Sequence, residues 1–318
     1  MDYMSVSSLL PLSTSSSATV WECESWDNFL HKMDCPSMFR CRCSTEFLSS
    51  CNGLVWTRCI SCGICEEEFY IWNLSTRSYK NIPMAPRQVN NDEVDGYGFG
   101  YDFKTEDYKL VRVASDPASS KCSIVDVYTL ESNSWKCSQI IPYRVFENGH
   151  NGEGMLFNGS IHWLALSSEQ GSTIVLICFD TVNERFEEVA LLLEAPMPNP
   201  EEPEANMFNI NLGILGGCIC LVLHFFDVQV DVLTMQQYGA NESWTKSFSI
   251  TEKSITSRRH VELLWIFKNN EILWQVDQGF VLYDPINETY RKLMLDSQIT
   301  GSLNISCSDD MVNPFLLN

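Results

Sequence analysis

Seven of the fourteen cysteines fall between residues 35 and 65, at Cys35, Cys41, Cys43, Cys51, Cys59, Cys62 and Cys65. The run Cys59-x-x-Cys62-x-x-Cys65 has knuckle-like spacing, in which two thiolates separated by two residues share one tetrahedral zinc. A closed site needs more ligands. Cys41-x-Cys43 has the wrong spacing for a second knuckle, and no histidine lies between His31 and His150. The cysteines are therefore expected as reduced thiols on a strand pair and its lead-in. No metal and no cofactor are expected.

Carboxylates are the next chemistry to test, because 41 acidic residues face 21 basic ones and set a formal net charge of −20. A glycosidase works with a carboxylate pair, but nothing in the spacing here singles out a pair. Asp92, Glu93 and Asp95 fall in an expected turn. Glu201, Glu202 and Glu204 stand among Pro198, Pro200 and Pro203, the composition of an exposed loop. These six acids are expected to contact a protein target, and the charge would steer a basic one. Gly96-Tyr97-Gly98-Phe99-Gly100-Tyr101 is glycine-rich but is not G-x-G-x-x-G. A strand-like run, Tyr108 to Val113, follows where a dinucleotide site needs a helix. The block reads instead as glycine and aromatic residues alternating inside a strand. The five histidines are scattered, and His162 beside Trp163 reads as a strand histidine. There is no P-loop, G-x-S-x-G or H-E-x-x-H. No catalytic constellation emerges, and the chain is not expected to be an enzyme.

Composition narrows the class further. At 45% hydrophobic and 12% aromatic residues, the chain has the material for a large core. The longest apolar runs, Ile174 to Phe179 and Cys218 to Leu223, are far short of the roughly 20 residues of a membrane helix. The negative charge excludes a general nucleic-acid binder, which needs a basic surface. Leu9-Leu10-Pro11-Leu12 is too short for a secretory signal and has no basic residue before it. The expected location is cytoplasmic and/or nuclear.

The elements that must position all these residues are short strands, because the chain lacks long amphipathic helical patterns. One unit recurs: an apolar strand, a polar turn, then an aromatic. It appears at Ile71 to Lys80, Val127 to Lys136, Cys178 to Phe186, more loosely at Val232 to Lys246, and at Leu282 to Lys292. The closing aromatics Tyr79, Trp135, Phe186, Trp244 and Tyr290 are 56, 51, 58 and 46 residues apart. A second unit, a Gly/Asn turn leading into an apolar strand, recurs at Asn52-Gly53, Asn158-Gly159, Gly216-Gly217 and Asn269-Asn270. A repeat of about fifty residues is the period of a kelch-like propeller. The expectation is an all-β, kelch-like β-propeller of five to six blades over residues 51–300. It is preceded by a serine-rich, largely disordered segment at 1–50, with at most a short helix around Trp26 to Lys32, and followed by a tail at 301–318.

Cys51-Asn52-Gly53-Leu54-Val55, Ile71 to Arg77, Tyr97 to Asp102 with Asp107 to Arg112, and Asn158-Gly159-Ser160-Ile161-His162-Trp163 together resemble the plant F-box-associated domain. The acidic balance and the Tyr-Gly-Phe-Gly block are most similar to its S-locus F-box branch. The resemblance implies a substrate-recognition subunit of an SCF-type ubiquitin ligase, with a Skp-type adaptor and a cullin as partners. In the S-locus branch the target is a basic S-RNase-like protein. In that family an amino-terminal F-box of about forty residues docks the adaptor. Residues 1–50 do not read as one. Two readings stay open: a ligase subunit whose docking segment is missing from this sequence, and a domain that binds its target without recruiting the ligase. Behind both stands a glycan-active enzyme built on a propeller, since the fold alone does not set function.

Overall fold

The computed structural model describes residues 3–5, 31–33, 43–61, 67–73, 76–85, 94–145, 152–167, 173–189, 191, 208–258, 260–267, 269–277 and 279–293. Strands β1 (Tyr3–Ser5) and β2 (His31–Met33) form a short antiparallel pair. Five antiparallel sheets follow. The first is built from β3 (Cys43–Cys51), β4 (Leu54–Ser61), β5 (Glu67–Asn73) and β6 (Tyr79–Ile82). The second comprises β7 (Val94–Asp102), β8 (Asp107–Asp116), β9 (Ser119–Thr129) and β10 (Ser134–Ile141). In the third, β11 (Tyr143–Val145) and β12 (Met155–Phe157) pair with opposite ends of β13 (Ser160–Ser167), which continues to β14 (Thr173–Asp180) and β15 (Arg185–Val189). The fourth comprises β16 (Phe208–Leu215), β17 (Cys218–Phe225), β18 (Gln229–Met235) and β19 (Trp244–Ile250). After a one-turn helix, α1 (Lys253–Thr256), the fifth is built from β20 (Val261–Ile266), β21 (Ile272–Val276), β22 (Gly279–Asp284) and β23 (Thr289–Leu293). These are the blades of a five-bladed β-propeller. No helix among the described residues is long and apolar enough to cross a membrane.

The blade count, expected as five to six, is five. One boundary differs from expectation. The first sheet begins at Cys43 rather than at residue 51, because the Asn52-Gly53 hairpin needs a strand on both sides. That strand, Cys-Ser-Thr-Glu-Phe-Leu-Ser-Ser-Cys, carries too little apolar alternation to be read from sequence. The expected helix around Trp26 to Lys32 lies almost wholly outside the described residues, with β2 starting at His31.

The sequence repeats are hairpin turns. Asn52-Gly53 and Asn158-Gly159 have φ of 50° and 77°, and 48° and 74°. Two successive left-handed residues make a turn whose twist matches the strands it joins, so Asn-Gly is favoured there. The longer turns open on a carboxylate or amide that accepts from the backbone ahead of it. Asp180 Oδ1 accepts from Val182 N at 2.8 Å and Asn183 N at 3.1 Å, and Asp284 Oδ1 does the same with Ile286 N and Asn287 N. Each closes with a left-handed residue, Glu184 or Glu288, just before the next strand.

The chain divides into two compact units: Met1–Met84 with Leu264–Leu273 and Gln278–Asn318, and Ala85–Leu263 with Trp274–Asp277. The first unit buries Trp56, Ile71 and Trp72, with the Trp56 and Phe69 rings 6.0 Å apart. In the second, the pleat of the third sheet divides its side chains between two cores. Ile161, Trp163, Ala165, Val175, Ile177 and Phe179 meet Val111, Val113, Val125 and Val127 of the second sheet. Leu164, Leu166, Ile174, Leu176, Cys178 and Val189 meet Ile219, Leu221, Met235 and Trp244 of the fourth.

The glycine block lies inside β7 as a packing surface. A Cβ on Gly98 would come within 2.5 Å of Trp163 Cζ2, and one on Gly100 within 2.8 Å of Thr181 Cγ2. Trp163, which is 2% exposed, thus packs directly against a strip of bare backbone. Its Nε1–H is shared between Gly152 O at 3.1 Å and Tyr97 O at 3.3 Å. Burying an indole of this kind is worth on the order of 5 kcal/mol.

A polar pin holds the same two sheets at their turn ends. Lys109 Nζ lies 2.9 Å from Asp102 Oδ2 and 3.0 Å from Glu184 Oε1, and donates to Thr181 O at 2.6 Å. Burial alone would neutralise all three groups. Their mutual hydrogen bonds outweigh it, lowering the pKa of Asp102 and Glu184 and raising that of Lys109. The carboxylates' contribution to stability is therefore full above their ordinary range and is lost as pH falls through their depressed values. That of Lys109 is full below its ordinary value and is lost only as pH rises through its elevated one. Lys109→Met leaves Asp102 buried without a cation and should cost about 3–5 kcal/mol at neutral pH in urea unfolding. The cost should shrink as pH falls through the carboxylate range, because a protonated Asp102 needs no partner. A cost independent of pH would contradict the pin.

Candidate functional site

The most irregular copy of the repeat makes the most distinctive site. The turns 130–133, 181–184 and 285–288 have four residues, whereas the β18–β19 connection has eight, 236–243. Its shape is set internally. Gln236 N donates to Ser243 O at 3.0 Å, Ser243 N to Ala240 O at 3.0 Å, and Ser243 Oγ lies 2.7 Å from Gln237 O. A short 3-10 turn, Asn241–Ser243, leads into β19. Gly239 adopts φ of 78° with open space where a side chain would project. The extra length carries Tyr238 onto the flank of the third sheet.

There the Tyr238 hydroxyl lies 2.8 Å from His162 Nε2. The other ring nitrogen, Nδ1, is 3.3 Å from Met155 O, an atom that can only accept, so the proton sits on Nδ1 and Nε2 accepts from the phenol. Cys178, directly across the ladder from His162, shares a hydrogen bond with the same hydroxyl. The rings pack as well: Tyr238 stands edge-on to His162 at 5.7 Å and lies 5.8 Å from Phe157.

Cysteine, tyrosine and histidine in one chain could suggest nucleophilic catalysis, which needs a thiolate and a base ready near pH 7. The environment opposes that. Burial pushes the Cys178 thiol up and the Tyr238 phenol well above its usual range, with Cys178 and Glu187 adding to the latter. Burial also pushes His162 down to about 4. All three groups are neutral near pH 7, and the chain acts as a latch holding the loop on the sheet.

The latch encloses one end of a pocket of about 510 Å³. Ile174, Val189 and Leu191 line it with apolar surface, while Glu187, Tyr238 and Asn241 bring polar groups to it. Glu187 lies opposite Cys178 in the β14–β15 ladder, which puts both on the face toward the fourth sheet. The exposed ring of Tyr238, 42% accessible, forms part of the rim.

Of the acids expected to meet a target, Asp92, Glu93, Glu201, Glu202 and Glu204 lie outside the described residues. Asp95 lies half-buried in β7, where its carboxylate accepts from Ser115 Oγ at 2.8 and 2.9 Å. Cys62 and Cys65 also lie outside the described residues, and Cys59 is buried in β4. Among the described residues no three His, Cys, Asp or Glu side chains gather as a metal site would require. The glycine block and His162 are the strand elements their spacing suggested. Tyr238 and Glu187 were not singled out from sequence. The one signal for Tyr238 was that its copy of the repeat fits loosely.

Comparison with known proteins gives a consistent picture. The chain matches the model of the F-box associated beta propeller domain over residues 13–305. It is 28% identical over 243 residues to the Arabidopsis thaliana F-box/kelch-repeat protein At3g23880, covering 76% of this chain and 62% of that protein. To F-box protein At3g07870 of the same plant it is 25% identical over 288 residues, covering 78% and 66%. To F-box protein CPR1, also from Arabidopsis thaliana, it is 29% identical over 301 residues, covering 85% and 70%. The chain thus spans less than two thirds of the length of the first two relatives. Among solved structures, an Aleuria aurantia lectin aligns over 85% of each chain at 9% identity, with a TM-score of 0.46.

Tyr238→Phe keeps the ring and removes the latch, leaving His162 Nε2 buried without a donor. It should cost about 1–2 kcal/mol in urea unfolding and speed alkylation of Cys178, followed by mass spectrometry. Unchanged stability together with unchanged Cys178 reactivity would contradict the latch.

Proposed function

The chain belongs to the F-box-associated β-propeller family, and from that premise we propose that it is the target-recognition part of an SCF-type ubiquitin ligase. The family match over residues 13–305 carries this reading, and the relatives described above are F-box proteins by name. In such an assembly a Skp-type adaptor and a cullin supply the transfer machinery, and this chain supplies the surface that selects the target. The site supports selection over chemistry: its thiol, phenol and imidazole are held in neutral forms by burial.

The net charge of −20 favours a basic target, as in the S-locus branch and its ribonucleases. The acidic segments around Asp92, Glu93, Asp95, Glu201, Glu202 and Glu204 add to the field that steers such a target toward the sheets.

Cross-linking in plant cells with the proteasome inhibited should recover a basic protein on this chain. Its association should weaken as salt rises, and its lifetime should lengthen when the chain is removed. A bound protein whose turnover does not depend on the chain would contradict the receptor role. Salt-independent binding would contradict electrostatic selection.

A further inference from the structure

Resting on that receptor reading, the geometry points to the pocket between the third and fourth sheets as the seat of a cationic side chain, arginine or lysine, of the target. Three observations converge. The first is charge. Glu187 is exposed on the pocket side of β15, and no cation pairs with it among the described residues. By contrast, the partly buried Glu184 holds Lys109 and Lys136, and the buried Asp231 holds Lys246. Glu187 offers its carboxylate to a group from outside.

The second observation is the aromatic rim. Tyr238 is held by the latch with much of its ring exposed beside Phe157. A guanidinium or ammonium group favours the face of such a ring. The third is the apolar lining. Ile174, Val189 and Leu191 offer hydrocarbon to the methylene stem that both basic side chains carry below their charge. An acidic ligand would meet Glu187 and Glu188, which also lines the pocket. A purely apolar one would strip water from Glu187 without replacing its hydrogen bonds. A volume of about 510 Å³ suits one long side chain with part of its backbone.

The test uses the full chain and two peptides, acetyl-Leu-Arg-Leu-amide and its citrulline counterpart, which keeps the shape and loses the charge. Calorimetric titration should show the arginine peptide binding about ten-fold tighter than the citrulline peptide. Glu187→Gln should bring that ratio close to one. Glu288→Gln, an exposed acid in the β22–β23 turn, should leave it unchanged. Equal binding of the two peptides, binding of neither, or a preference that survives Glu187→Gln would overturn the proposal. Recovery of a target in cells reads the receptor role independently. If recovery persists while the peptide preference fails, only the cationic pocket falls. If no target is recovered while the preference holds, the receptor reading falls and the pocket stands.

Discussion

The structure of the second unit depends on one steric constraint: the third sheet must bury both faces at once. Strand β13 sends Trp163 one way and Leu164 the other, so neither neighbour can move without exposing core surface. On the Trp163 side the fit is unusually demanding, because the indole lies against β7 backbone where the glycines leave no room for even a methyl group. Close packing of this kind fixes the separation of two sheets far more tightly than hydrophobicity alone. The polar pin at Lys109 then fixes their turn ends, since Asp102 and Glu184 reach it from different sheets.

The candidate site follows from that rigidity. With the third sheet fixed on one side, its other face can present His162 and Cys178 to a loop from the fourth sheet. Tyr238 closes the contact through a hydrogen bond spanning 76 residues of sequence. The eight-residue connection is longer than the four- or five-residue turns at the same place in the other sheets, and this extra length gives the fold a pocket that regular blades do not need. A scaffold repeated for stability and one irregular loop for recognition is the division of labour expected when function sits on loops held by rigid sheets.

Much of this was legible in the sequence. Asn-Gly pairs, Asp-led turns and alternating apolar residues report backbone conformation directly, so the strands and their repeat could be read before any coordinates. Gly96, Gly98 and Gly100 could be assigned to a strand because the segment after them lacks a helical pattern. What lay against them could not be known, since Trp163 is more than sixty residues away. Strand β3 was missed because Ser49, Ser50 and the residues before them hide its alternation. The pocket was missed for a different reason. Glu187 and Tyr238 are ordinary surface residue types, and only the long-range pairing of β14, β15 and the β18–β19 loop brings them together.

The claim that Trp163 against the glycine strip sets the fit of the second and third sheets is tested most directly by a double-mutant cycle in urea unfolding. Gly98→Ala alone should cost about 1–3 kcal/mol or more, because the added methyl group meets the indole. In a Trp163→Leu background the same change should cost at least about 1 kcal/mol less, because the obstacle is gone. Costs that simply add, within about 0.5 kcal/mol, would show that the two positions act independently and would contradict the account.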